Sequence, residues 1–143
     1  MMFFKKYVLI FLSLILFSSS QIFAKGDLAI KSHPLELILG SESRDYDMST
    51  KEFKLETGRA YRLKIKSLGF KEYAFIAPKF FRNIWIRKVE AGGMEIKASV
   101  INELEFEDAS EAEIFFVPIR PGFYEFKIRG LESKGMVGKI IVK

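Results

Sequence analysis

The chain has 143 residues, 49% of them hydrophobic, with 23 Lys and Arg against 18 Asp and Glu, a formal net charge of +5, and no cysteine. Without cysteine there is no disulfide, no thiol nucleophile, no thiolate metal ligand and no lipidated cysteine. The mild charge excess gives no reason to expect a nucleic-acid or membrane-surface partner, and the length suits one ordinary domain.

Met1 to Ala24 reads as a secretory signal peptide: Lys5 and Lys6 lead an apolar run from Tyr7 to Phe17, then Ser18-Ser19-Ser20 and a small residue, Ala24, at the expected cut. The apolar run is 11 residues, short of the roughly 17 to 25 that cross a bilayer. We therefore expect cleavage, no membrane span afterwards, and a periplasmic or secreted protein. Residues 25–143 remain, 119 in number, with a formal charge of +3 once two leader lysines are removed. They are expected to form a single domain.

Short runs of period two follow in order. Leu35 to Leu39 is apolar, and Asp45-Tyr46-Asp47 reads as a polar loop. Phe53 and Leu55 alternate with polar neighbours. From Ala60 to Lys66 the alternation is strict, with Tyr61, Leu63 and Ile65 on one face and Arg62, Lys64 and Lys66 on the other, as a half-buried strand requires. The segment Lys79 to Ile84 after Pro78 is the one helix candidate. Leu104 and Phe106 lie between Glu103, Glu105 and Glu107, and the runs Ile114 to Val117, Phe123 to Ile128 and Val137 to Val142 complete six to eight strands. Turn residues at Gly40-Ser41, Thr57-Gly58, Leu68-Gly69, Gly92-Gly93, Asp108 to Ser110, Pro121-Gly122 and Gly135 separate them. The class predicted is all-β, an antiparallel sandwich with at most one short helix.

Catalytic signatures are missing. There is no G-x-S-x-G elbow and no second histidine to pair with His33, and the Gly92-Gly93 and Gly135 to Gly138 segments sit in hairpin contexts, not before helices. His33, beside Pro34, reads as surface, with a base or metal ligand as the alternative. No enzyme is expected.

The tail from Pro121 to Lys143, PGFYEFKIRGLESKGMVGKIIVK, resembles the metal-binding end of the cupredoxins, the plastocyanin-like proteins. Their Pro-Gly turn, Tyr-x-Phe strand, Cys-x2-His-x4-Met loop and following Gly-x-Ile/Val-x-Val are matched by Pro121-Gly122, Tyr124 to Phe126, and Gly138 to Val142. Upstream, Glu56-Thr57-Gly58 with Tyr61-Arg62-Leu63, and Glu72 to Pro78, resemble the strand pair and the segment carrying the first ligand. The resemblance covers roughly 51–143 and implies a Greek-key sandwich. It also implies that the copper-ligand positions fall on Tyr73, Ile128, Leu131 and Met136.

Type 1 copper needs a thiolate and two imidazoles, with a weak axial thioether. Only the thioether of Met136 survives, and a phenol such as Tyr73 must lose its proton, against a pKa near 10. No metal is expected at this site; an apolar plug is, with Ile128 and Leu131 beneath Met136 and Tyr73 covering them. The alternative is copper held by Met48, Met94 and Met136 with His33. Calcium or ferric ion held by Asp45, Tyr46 and Asp47, or by Glu103, Glu105, Glu107, Asp108 and Glu111, is a further option. Each of these groups also reads as core filling, loop or solvated strand face.

Phe80, Phe81, Arg82 and Trp85, with Arg87 and Lys88, form an aromatic and basic cluster. The resemblance places it near the loop-bearing end, where Lys127, Arg129 and Lys134 add charge. It reads first as core and solvated strand face, and alternatively as a partner-docking rim of Phe80, Phe81, Arg82, Trp85 and Lys134. The function expected is a non-catalytic binding or structural module with a protein partner in the cell envelope, within a metal-handling or envelope system. The competing class is a copper- or iron-binding metallochaperone using methionine and carboxylate ligands.

Overall fold

The computed structural model describes residues 31–69 and 71–143; the leader and its expected cleavage site lie outside them. Eleven strands are present among these residues, in two facing sheets. They are β1 His33–Ser41, β2 Arg44–Met48, β3 Glu52–Leu55, β4 Tyr61–Ser67, β5 Tyr73–Ile76, β6 Ile84–Ala91, β7 Met94–Ile96, β8 Leu104–Phe106, β9 Ser110–Pro118, β10 Gly122–Ile128 and β11 Val137–Val142. A helix α1, Pro78–Phe81, and a 3-10 turn, Glu132–Lys134, complete the order.

One sheet runs β2-β1-β4-β9-β6-β7 and the other β3-β11-β10-β5-β8. The chain crosses between the sheets at every connection except β1–β2, β6–β7 and β10–β11, as in a Greek-key sandwich. Most pairings are antiparallel. The exceptions are β1 on β4 and β3 on β11, which are parallel.

Alternation in β4 does what its pattern demands. Tyr61, Leu63 and Ile65 are buried while Lys66 faces solvent, and β4 lies between β1 and β9 in register, Leu63 opposite Leu35 and Ile114. On the outer face Lys64 Nζ is 2.8 Å from Glu111 Oε2, and Arg62 Nη1 is 3.7 Å from Glu113 Oε2. The glutamates of β9 thus compensate the cations of β4.

Three elements differ from the sequence expectation. Asp45-Tyr46-Asp47 is the middle of β2, an edge strand with Met48 as its one buried residue, so it carries little apolar pattern. The helix is only the four residues Pro78–Phe81, with proline in its first turn, and Ile84 already opens β6. β7 is added by a two-residue hairpin, Ala91 opposite Met94, in which Gly92 and Gly93 have φ of 55° and 77°; glycine permits that mirror-image turn.

The interior is one cluster drawn from both sheets, with aromatic rings at its centre. Phe75 and Phe53 each lie 5.6 Å from Phe126, and Phe80 lies 5.4 Å from Phe116 and 5.6 Å from Tyr124. Tyr124 also donates its hydroxyl to the Arg120 carbonyl at 2.9 Å, tying the β9–β10 connection to the sheet as a tyrosine corner does.

Candidate functional site

Backbone pairing gathers the four expected ligand positions at one end of the sandwich. Ile128, the last residue of β10, stands opposite Phe75 of β5. On its other side the Ile128 N–H donates to the Met136 carbonyl at 3.0 Å. Phe75 of β5, Ile128 of β10 and Met136, just before β11, therefore form a row, all at 0% exposure. Tyr73 occupies the next inward position of β5 and is also at 0%. Leu131 is half-buried and packs against the same cluster.

The loop from Ile128 to Met136 is closed by its own backbone. Leu131 N–H donates to Ile128, and Lys134 and Met136 N–H both donate to the Leu131 carbonyl. Gly135 N–H donates to Glu132, and Gly135 has a φ of 82°, the left-handed conformation glycine adopts freely at a helix end. Outside, Arg129 Nη2 is 3.1 Å from Glu103 Oε1 and 3.7 Å from Glu105 Oε1, and Lys127 Nζ is 3.1 Å from Glu132 Oε1. Glu105 of β8 and Glu103 just before it thus face a cation of this loop.

Tyr73 reaches across to the other sheet. Its hydroxyl donates to the Asp45 carbonyl of β2 at 2.7 Å. Burial, with smaller contributions from the Asp45 carboxylate and Tyr46, pushes its phenol above the ordinary value, so the phenolate a metal would need is harder to form than in water. Its proton already has an acceptor.

These residues do not fit a type 1 copper centre. Two of the four side chains are hydrocarbon, the phenol is held in its neutral form, and the thioether of Met136 is the one soft donor left. The other candidate donors are dispersed. Met48 lies on edge strand β2 and Met94 on edge strand β7 of the same sheet, five strand spacings apart, or about 24 Å. Met94 is 63% exposed. His33 accepts or shares a 3.0 Å contact between Nδ1 and Arg59 Nη2 at the surface. Among the described residues no three His, Cys, Asp or Glu side chains converge as a metal site would require.

The expected rim is corrected. Phe80 and Phe81 are each 2% exposed and belong to the core. Moreover, β5 runs antiparallel to β10, with Ile76 opposite Lys127, so the chain leaves the loop end at Tyr73 and delivers α1 beside Tyr124 toward the opposite end. Trp85 follows there, paired with Val117 on β9. Lys134 remains at the loop end, its Nζ 5.3 Å from the Tyr46 ring centroid. The cluster expected as one surface is divided between two ends of the molecule. Arg82, Trp85 and Arg87 remain exposed, Trp85 at 41%, and Trp85, Arg87 and Lys97 line a recess of about 300 Å³.

Sequence reasoning missed the role of β2. The signal for it was the period-two stretch Arg44-Asp45-Tyr46-Asp47-Met48, whose last residue pairs with Leu39.

No protein-family model and no curated protein matches the chain. Solved structures do. A multicopper oxidase from Campylobacter jejuni, described as a metallo-oxidase, aligns with a TM-score of 0.55 at 14% identity over 86% of this chain and 32% of its own. A laccase from Pediococcus acidilactici aligns with 0.59 at 10% over 87% and 29%. Auracyanin from the photosynthetic bacterium Roseiflexus castenholzii aligns with 0.50 at 16% identity, over 80% of this chain and 99% of its own. The chain spans about a third of the two oxidases' length. The architecture is that of a cupredoxin-type sandwich.

Proposed function

We propose that this protein is an exported, non-catalytic binding module, a cupredoxin-type sandwich working without type 1 copper. The observation that carries the reading is hydrocarbon at two of the four ligand positions, with Ile128 at 0% exposure and Leu131 packed against the core cluster. Such side chains have no electron pair to offer an ion. The reading places the protein in the periplasm or outside the cell, delivered by the leader of residues 1–24. No helix among the described residues is long and apolar enough to cross a membrane.

On this account the partner is an envelope protein that docks on Trp85, Arg82 and Arg87, at the end opposite the plug. A half-exposed tryptophan beside unpaired guanidinium groups has the composition of an interface anchor. Neither Arg82 nor Arg87 makes an ion pair among the described residues. The metallochaperone alternative is disfavoured by Met48 and Met94, which stand on opposite edges of one sheet. A photoreactive amino acid placed at position 85 in cells should give one discrete adduct, absent when the probe is moved to exposed Phe123. No adduct at 85, or equal labelling at 123, would contradict the docking assignment.

A further inference from the structure

A recess of about 510 Å³ lies outside the core at the loop end, between β2 and the Glu132–Lys134 turn. Arg44, Asp45, Tyr46, Asp47, Lys51 and Lys134 line it. Its carboxylates are already matched: Asp47 Oδ2 is 3.3 Å from Arg44 Nη2 and Asp45 Oδ2 is 3.7 Å from Lys71 Nζ. Lys51 and Lys134 have no ion-pair partner among the described residues. Each reaches across to the opposite wall. Lys134 Nζ stands 5.3 Å from the Tyr46 ring centroid, and Lys51 Nζ lies 3.5 Å from where a Cβ on Gly135 would sit.

We propose that this recess binds a phosphate monoester. Two ammonium groups without counter-ions call for more than one negative charge. A monoester carries about −1.5 to −2 at neutral pH and three acceptor oxygens. Lysine serves such a group as a point charge. The Tyr46 ring, 40% exposed, offers a flat wall to the organic part of the ester. The site is independent of docking at Trp85, which lies at the other end.

The test is a titration of the purified protein with glycerol 3-phosphate at constant ionic strength, followed by amide NMR. Saturable shifts confined to residues 43–51 and 132–136 are expected, with half-saturation near about 1 mM. Lys134→Glu and Lys51→Glu should each weaken binding roughly tenfold, the factor one charge-assisted hydrogen bond supports. The neutral pair Lys51→Met with Lys134→Met should abolish it and keep the fold. Sedimentation with phosphatidic acid vesicles, against phosphatidylcholine alone, separates the two sources of the chemistry. Vesicle binding lost in Lys134→Glu assigns a lipid headgroup, and saturation by the soluble ester alone assigns a free metabolite; either supports the site. Shifts that stay linear, spread over lysines generally, or survive both charge reversals would overturn it.

Discussion

The hydroxyl of Tyr73 donates to the carbonyl of Asp45 at 2.7 Å, joining β5 of one sheet to edge strand β2 of the other. A part-buried carbonyl that loses its donor keeps part of its desolvation cost. Tyr73→Phe should therefore lower unfolding free energy by about 1–2 kcal/mol in urea titration. Amide exchange should rise first in β2. An unchanged midpoint would mean that water satisfies Asp45 equally well.

Gly138 of β11 lies opposite Phe126 of β10, and the ring covers it: a Cβ at Gly138 would sit 2.2 Å from Phe126 Cζ and 2.9 Å from the Lys51 carbonyl. Phe126 is at 0% exposure and has no space to retreat into. Gly138→Ala should cost about 1–3 kcal/mol by overpacking. Adding Phe126→Leu should give a double variant less destabilised than the sum of the two single changes. Strict additivity would show the two residues uncoupled.

Met136 separates packing from ligation. Met136→Leu conserves volume and should cost under about 1.5 kcal/mol. Met136→Ala should cost about 2–5 kcal/mol through the cavity it leaves. Equal tolerance of both changes would mean that Met136 is not packed as described.

Stability should depend on pH in two windows. Glu95 is held at about 2, first by Lys97 and then by Lys88, and Glu52, Glu111 and Glu132 are also held below the usual carboxylate range. Their contribution is present above the unfolded value, near 4.3, and is lost as pH falls through the folded values. Tyr73, Lys64 and Lys88 are raised, so their contribution is present below about 10 and lost as pH climbs through the folded values. The urea midpoint should fall on both sides of a neutral plateau. One molar salt, with a Debye length of about 3 Å, should flatten the acid limb, because these carboxylates are at the surface. Glu95→Gln should make that limb shallower.

The sandwich was legible because β4, β9, β10 and β11 each have one buried face, which writes a period of two into the sequence. The turn at Gly135 was legible too, since its left-handed φ calls for glycine. β2, β6 and β7 were harder to read. β2 and β7 lie at sheet edges and are open on more than one side, and the alternation of β6 is broken at Arg87, where its register with β9 shifts. Resemblance placed Tyr73, Ile128, Leu131 and Met136 together at one end, while the rim could not be assembled, because nothing local says that β5 runs away from the loop. Phe80 and Phe81 look alike in sequence whether they cap a surface or fill a core; the packing of Phe80 in the four-residue α1 onto Phe116 and Tyr124 decides it.

The direct measurement is equilibrium dialysis of the purified protein against Cu(I), Cu(II) and iron, with bound metal counted per chain. The account predicts well below one equivalent of each, and no difference between the wild type and Met136→Leu. About one equivalent of copper, lost on Met136→Leu, would contradict it.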